Sequence, residues 1–303
     1  MTEPYIGRFA PSPTGPLHSG SLIAALGSYL QARAHQGRWL LRIEDLDPPR
    51  EVPGAASHII KTLETYGFEW DGDISYQSQR HALYEQALSQ LRDRGLLYAC
   101  DCSRKMIAQA NPDGKPRRYP GTCRNRARQA SPSCSLRLRT KDESLCFHDP
   151  VQGSVQQNLY RQSGDFVLFR RDGFYAYALA VSIDDMQQGI TEVVRGSDLL
   201  DATAQQIYLI QQLGGTAPRY VHLPVLNNAA GEKLSKQTGA SPLPMTHPVR
   251  QLYQALRFLG QSPPAHLREA TRDEFWHWAR QNWQLKRVPA KTATIPPLSA
   301  QPV

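Results

Sequence analysis

The sequence predicts an α/β fold: a parallel sheet with crossover helices, interrupted by an insertion and closed by a short helical C-terminal segment. Three observations predict it. The chain opens as strand, turn, helix, strand, which is the βαβ pattern of a parallel sheet. Strand-like and helix-like stretches then alternate over most of the 303 residues. Between residues 100 and 135 this alternation gives way to Cys, Pro, Arg and Lys with little periodicity, the texture of an insertion held by something other than a core.

Tyr5 to Ala10 reads as a short buried strand, which the run Pro11-Ser12-Pro13-Thr14-Gly15-Pro16 cannot continue. A helix begins at His18, with Leu22, Leu26, Tyr29 and Leu30 at helical spacing, and Gly37 closes it. Trp39 to Ile43 is a second strand. Helices follow at about Pro53–Tyr66 and Gln79–Arg94, the latter closed by Gly95. Beyond the Cys-rich stretch, Ser135–Arg139 and Asp165–Arg170 read as strands, Tyr175–Met186 as a helix, Ile190–Val194 as a strand and Leu199–Leu213 as a helix. Val221–Leu226 is a last strand. A Gly/Pro/Ser-rich loop, two short helices near Val249–Leu259 and Arg272–Trp283, and a Pro-rich tail complete the chain.

A hydrophobic content of 40% supports a sizeable core, either one large α/β domain with an insertion or two ordinary domains. There is no basic-then-apolar N-terminal leader, and no run of about 18 apolar residues that would span a membrane. The expected setting is the cytoplasm and the expected state a monomer. A net charge of +8 favours polyanionic partners, nucleic acid first.

The candidate nucleotide site is the turn from Arg8 to Leu22, which ends a strand and opens a helix. A helix N-terminus offers unpaired N–H groups and partial positive charge, which suit phosphate. Gly20 allows close approach of a ligand to the backbone, and His18 can donate to a phosphate oxygen that gains charge in a transition state. Neither a P-loop nor a G-x-G-x-x-G fingerprint is present at this turn.

This segment resembles the nucleotide-binding region of glutamyl- and glutaminyl-tRNA synthetases. His18-Ser19-Gly20-Ser21 stands in place of their His-x-Gly-His motif, with Ser21 replacing the last imidazole. Lys233-Leu234-Ser235-Lys236-Gln237 resembles their mobile lysine loop. The resemblance covers roughly residues 5–260 and implies a Rossmann-like class I synthetase catalytic domain that uses ATP with Mg²⁺. In such a reaction the amino acid carboxylate attacks the α-phosphorus, and the protein contributes positioning and electrostatics. Lys233, Ser235 and Lys236 would close on the triphosphate as pyrophosphate leaves.

L-Glutamate as substrate needs a cation for its side-chain carboxylate and a carboxylate for its ammonium. Arg8 ends the first strand and Glu44 ends the second, so both face the ligand crevice of an open α/β sheet. The resemblance adds Phe9, Ala10, Pro11 and Ser12 from the same turn, Tyr177 and Arg195 to the glutamate pocket. Core packing is the plain alternative for Tyr177, and a salt bridge to Asp198 or Asp201 for Arg195.

Cys100, Cys102 and Cys123 bracket a loop without a core, and three thiolates in a reducing compartment suit one Zn²⁺. Spacing leaves the fourth ligand open among Tyr119, Cys134, Cys146 and His148; the resemblance to a subgroup with a tyrosine four residues before the last Cys implies Tyr119. Arg104, Lys105, Lys115, Arg117, Arg118, Arg124, Arg126 and Arg128 make the same segment strongly basic, a candidate phosphate-backbone surface.

Only 66 residues follow Gln237, where glutamyl-tRNA synthetases carry an anticodon-binding region. The expected division is therefore 1–99 and 191–247 as the two halves of the catalytic domain, 100–190 as the zinc- and acceptor-binding insertion, and 248–303 as a helical segment and tail. A catalytic domain of this form resembles the truncated branch of the family. That branch activates glutamate without tRNA and attaches it to queuosine, at the wobble position of tRNA(Asp). Two alternatives are an ordinary synthetase catalytic domain with a separate anticodon-binding partner, and a non-catalytic RNA-binding paralogue.

Overall fold

The computed structural model describes residues 4–111, 118–126, 133–226 and 241–290. Its centre is a parallel sheet. Strand β1 (Ile6–Phe9) pairs with β2 (Arg38–Ile43), and β2 with the short β3 (Ser75–Tyr76). On the other side, β9 (Glu192–Gly196) pairs in parallel with β10 (Arg219–Leu223). Thr191, just before β9, ties the halves together: its N–H donates to Ile6 O at 2.9 Å, and its Oγ1 accepts from Ile6 N at 2.9 Å. The chain thus leaves β1 towards β2 and returns much later on β1's other flank. Such a reversal opens a crevice at the C-terminal ends of the strands.

Helix α1 (Ser19–Ala34) crosses between β1 and β2 and is buried on nearly all sides from Leu22 to Ala32. A helix apolar all round belongs inside, between layers. One face lies on the sheet, so closely that a Cβ on Gly27 would come within 2.5 Å of Leu223 Cδ1. Against it lie α8 (Pro248–Phe258) and α9 (Arg272–Asn282). Trp276 of α9 packs edge-on to Tyr29 and Phe68 and donates to Tyr66 O at 3.0 Å; Arg280 donates to Tyr29 OH at 2.6 Å. The two C-terminal helices therefore complete the main core rather than hang from it. The helix ends at Ala34, before Gly37, because Gln36 turns into a left-handed conformation with φ 52°.

A second layer is antiparallel: β4 (Leu97–Cys100), β5 (Ser135–Leu138) and β8 (Phe166–Phe169). Helices α2 (Ala55–Tyr66) and α3 (His81–Asp93) precede it, and α3 shares a hydrophobic cluster with α6 (Tyr177–Gln187) and α7 (Leu200–Gln212). Short helices α4 (Arg104–Gln109) and α5 (Leu159–Gln162) flank it. The hairpin β6 (Leu145–Asp149) and β7 (Gly153–Gln157) has no counterpart in the sequence reading. Several elements shift by two or three residues from their expected bounds. Tyr175 bridges Phe169 instead of opening α6, and α6 begins two residues later. β9 starts two residues later than expected and β10 ends three residues earlier, at Leu223. Among the described residues, no helix is long and apolar enough to cross a membrane.

Candidate active site

A cleft of about 440 Å³ lies over the C-terminal ends of β1, β2 and β9. Its walls include the β1–α1 turn (Arg8, Phe9, Ala10, Pro11, Ser12, His18, Gly20, Ser21), with Glu44, Tyr177 and Arg195 opposite. The structure thus brings together in one cavity every sequence-predicted amino acid and nucleotide residue of the described regions. Lys233, Ser235 and Lys236 lie outside the described residues. The chain on either side of them is at the cleft: Leu226 lines it, and Pro242 bridges the backbone of His18.

Prolines fix the turn. They lack N–H groups, so their carbonyls serve instead as acceptors: Pro11 O takes Glu44 N at 3.0 Å and Pro13 O takes Val52 N at 3.0 Å. The turn is thereby stitched to the end of β2, and Glu44 is set beside Arg8. His18 caps α1, its Nδ1 accepting from Gly20 N at 3.1 Å and Ser21 N at 3.4 Å. A neutral imidazole so engaged carries its proton on Nε2, away from the helix.

Beneath the cleft lies a buried ionic network that sequence reasoning missed. Arg8 and Arg42 both grip Asp185 of α6: Arg8 Nε at 3.2 Å and Arg42 Nη2 at 2.8 Å from the same Oδ1. Arg42 also donates to Gln188 Oε1 and lies 3.8 Å from Asp184 Oδ2. Asp184 is held by Arg80 at 2.5 Å, Gln77 at 2.7 Å and Tyr84 at 2.9 Å. Burial favours a protonated Asp185, but Arg8 and Arg42 outweigh it and hold the carboxyl below the usual range. A signal for this network existed: two adjacent acids inside an otherwise apolar helix, Tyr177-Ala178-Leu179-Ala180-Val181-Ser182-Ile183-Asp184-Asp185.

Glu44 differs. Its Oε1 is buried without a hydrogen-bond partner, 3.6 Å from Arg42 Nη2. Burial pushes its pKa up to about 7, against the pull of Arg42 and Arg8. The residue itself lines the cleft, so its carboxyl stands at the cleft wall close to Arg42 and Arg8. Arg195, 5% exposed, donates to His222, Tyr177, Gln206, Thr203 and the carbonyl of Leu199. Tyr177 stands 40% exposed at the cleft surface, with its hydroxyl 3.4 Å from Arg195 Nη1, so it is not simply core.

A separate cluster lies beside β4. The Sγ atoms of Cys100, Cys102 and Cys123 all lie within 4.8 Å of one another, a group able to hold a metal ion. Cys134, Cys146 and His148 are not members of it. Tyr119 OH lies 3.5 Å from Cys100 Sγ and 2.7 Å from Cys123 N. Of the basic residues in this segment, Arg104, Lys105 and Arg126 are exposed. Arg124 instead turns inward, to Asp165 and to Thr140 O at 2.8 Å, and Tyr98 and Thr140 complete the ring around Asp165. It is therefore a tether for the insertion and not part of a cationic surface. Lys115, Arg117 and Arg128 lie outside the described residues.

Comparison with known proteins agrees with this geometry. Residues 6–282 match the family model described as tRNA synthetases class I (E and Q), catalytic domain. A glutamyl-Q tRNA(Asp) synthetase of Chromobacterium violaceum is 54% identical over 295 residues, covering 96% of this chain and 98% of that protein. One from Ectopseudomonas mendocina is 52% identical over 289 residues, covering 95% of this chain and 96% of that protein. Among solved structures, a glutamate-tRNA synthetase of Elizabethkingia anophelis superposes with a TM-score of 0.78 at 27% identity, over 97% of this chain and 68% of that one. A glutamate tRNA ligase of Elizabethkingia meningosepticum, in complex with its amino acid, gives a TM-score of 0.80 at 26% identity, over 96% and 67%.

Replacing Asp185 by Asn leaves two buried guanidinium groups without their shared counter-charge. Breaking a buried pair in this way is expected to lower stability by about 3–5 kcal/mol, read from urea unfolding. A loss below about 1 kcal/mol would show that the network is not what holds the cleft floor.

Proposed function

The chain belongs to the class I tRNA synthetases of the glutamate and glutamine type, within the family of glutamyl-Q tRNA(Asp) synthetases, and from that premise we propose its reaction. It activates L-glutamate with ATP, without tRNA, and transfers the glutamyl group to queuosine in the anticodon of tRNA(Asp). In the first step a glutamate α-carboxylate oxygen attacks the α-phosphorus of ATP, and the bond to pyrophosphate breaks. In the second, a hydroxyl of the queuosine cyclopentene-diol attacks the carbonyl of the adenylate, and AMP leaves.

The observation that carries this reading is the content of one cleft. The Glu44 carboxyl, the buried Arg8 and Arg195 and the Tyr177 hydroxyl line a cavity of about 440 Å³ together with the capped N-terminus of α1. Glu44 receives the substrate ammonium, while Arg8, Arg195 and Tyr177 face its carboxylate. Phe9, Ala10, Pro11 and Ser12 shape the pocket between them. Gly20 and Ser21 bring the positive end of the α1 dipole up to the phosphates, His18 donates from Nε2, and Lys233, Ser235 and Lys236 neutralise the departing pyrophosphate. Nothing here requires a protein nucleophile; the acceleration comes from holding charges where the transition state develops them. Mg²⁺ accompanies ATP.

Cys100, Cys102 and Cys123, with Tyr119 beside them, would hold Zn²⁺. Its role is structural, fixing a loop that has only a small apolar core of Tyr98, Cys100, Tyr119 and Cys123. The exposed Arg104, Lys105 and Arg126 on that loop then meet the RNA backbone.

Three measurements test this reading. Radiolabelled glutamate with ATP is expected to enter tRNA(Asp) that carries queuosine, and the label should survive periodate oxidation of the 3′ end. Label on the 3′ end of tRNA(Glu) would instead make the chain an ordinary synthetase. Metal analysis is expected to find about one zinc per chain, lost together in a Cys102→Ser/Cys123→Ser variant; zinc-free folded protein would remove the metal assignment. The third is the pH dependence of glutamate-driven ATP–pyrophosphate exchange. With Glu44 raised to about 7, the ionised carboxylate that binds ammonium is lost below that pH. KM for glutamate should therefore rise towards tenfold per pH unit below about 7, and a Glu44→Gln variant should lose that slope. The sign for stability is opposite to the usual acid. Burying ionised Glu44 costs stability increasingly from about pH 4.5 to 7, and fully above, until the substrate ammonium offsets it.

A further inference from the structure

We propose that Asp149 and His222, neither of which lines the cleft, are positioning residues that hold Arg195 as an uncompensated cation and so set the preference for a carboxylate side chain over its amide. This rests on the reading of glutamate as substrate.

The two buried arginines of the cleft are held in opposite ways. Arg8 shares the carboxylate of Asp185, so part of its charge is already balanced. Arg195 instead donates to neutral acceptors: Gln206 Oε1 at 2.9 Å, Thr203 Oγ1 at 2.7 Å, Tyr177 OH at 3.4 Å, Leu199 O at 3.3 Å and His222 Nε2 at 3.2 Å. Gln206 Nε2 is buried without a partner, so the amide is turned to serve Arg195 at its own cost.

The His222 contact fixes a tautomer. An imidazole nitrogen accepts only when it carries no proton, so the proton sits on Nδ1. Nδ1 faces Asp149 Oδ2 at 2.7 Å, and the same oxygen takes the His222 backbone N–H at 2.9 Å. The other oxygen takes Val151 N and Gln152 N, each at 2.8 Å. Asp149 therefore cannot rotate, and it presents an acceptor to Nδ1 in every arrangement. Both residues are fully buried. Burial and Arg195 disfavour an imidazolium more than Asp149 favours it, which keeps the ring neutral.

The physical consequence is insulation. A carboxylate in direct contact with Arg195 would take part of its donor fork and cancel its charge. Placed behind a neutral ring, Asp149 aligns the guanidinium and leaves the charge for the ligand. In a cleft of low effective dielectric, that charge favours an anionic side chain over an isosteric amide. The β6–β7 hairpin, whose tip carries Asp149, thus reaches the parallel sheet to orient a group on the far wall.

The test is Asp149→Asn. Whichever way the amide turns, its NH₂ meets N–H donors, Val151 and Gln152 on one side or the His222 backbone and ring on the other. Either orientation loosens the fixed acceptor behind Nδ1 and with it the ring that aligns Arg195. In ATP–pyrophosphate exchange, KM for glutamate should rise about tenfold or more while kcat and KM for ATP stay within about twofold. Selectivity for glutamate over glutamine should fall. In the wild type, ¹⁵N-histidine NMR at neutral pH should report His222 as the Nδ1–H tautomer. An Nε2–H or doubly protonated ring there overturns the proposal whether or not the variant folds. An unchanged glutamate KM, or equal losses for ATP and glutamate, overturns it as well. A wild type without glutamate-dependent exchange overturns the assigned amino acid, while the tautomer measurement still judges the geometry by itself.

Discussion

The structure depends on a carboxylate shared by two buried arginines. Arg8 from β1 and Arg42 from β2 converge on Asp185 of α6, and all three are nearly or wholly inaccessible to solvent. Each arginine would be untenable alone in that position, since an unpaired buried charge costs several kcal/mol. The network fastens α6, which follows the second sheet in sequence, against the first two strands of the parallel sheet. It also sets what is left over. With Arg42 committed to Asp185, Asp184 and Gln188, Glu44 sits 3.6 Å from the nearest guanidinium and keeps one oxygen without a donor. The unsatisfied state of Glu44 at the cleft wall is thus the remainder of a balance struck beneath it.

The same logic recurs in the polypeptide between the two halves of the sheet. Two buried aspartates act as tethers there. Asp165 gathers Tyr98, Thr140 and Arg124, and Arg124 directly follows Cys123 of the cysteine cluster. Asp149 gathers Val151, Gln152 and His222, and binds the hairpin to β10. A buried carboxylate held by several donors is rigid, and each tether fixes the segment that carries it. In both cases the ionic group organises geometry and does not itself touch a ligand.

Much of this was legible in the sequence, and the limits have physical reasons. The β1–α1–β2 unit follows from local signals: apolar runs, a proline- and glycine-filled turn, and helical spacing. The cleft residues followed because strand ends converge in an open parallel sheet, so Arg8 and Glu44 had to meet. What escaped was pairing across long separations. Arg8 and Asp185 are 177 positions apart, and nothing local in either announces the other. The β6–β7 hairpin escaped because its strands alternate between exposed and half-buried positions, with weak apolar contrast. Arg124 read as surface because charge runs usually are; only the fold shows Asp165 waiting inside. The burial of α8 and α9 was hidden for the converse reason, since short amphipathic helices do not reveal what they pack against.

Discrimination between a carboxylate and its amide is the property that we propose these buried charges provide. Calorimetric titration of the protein with glutamate and with glutamine, in the absence of ATP and RNA, measures it most directly. The account predicts that glutamate binds about 100-fold or more tighter than glutamine. Equal affinity for the two would contradict it, because a cleft that cannot tell a charge from a dipole has no use for an Arg195 that meets no carboxylate partner among the described residues.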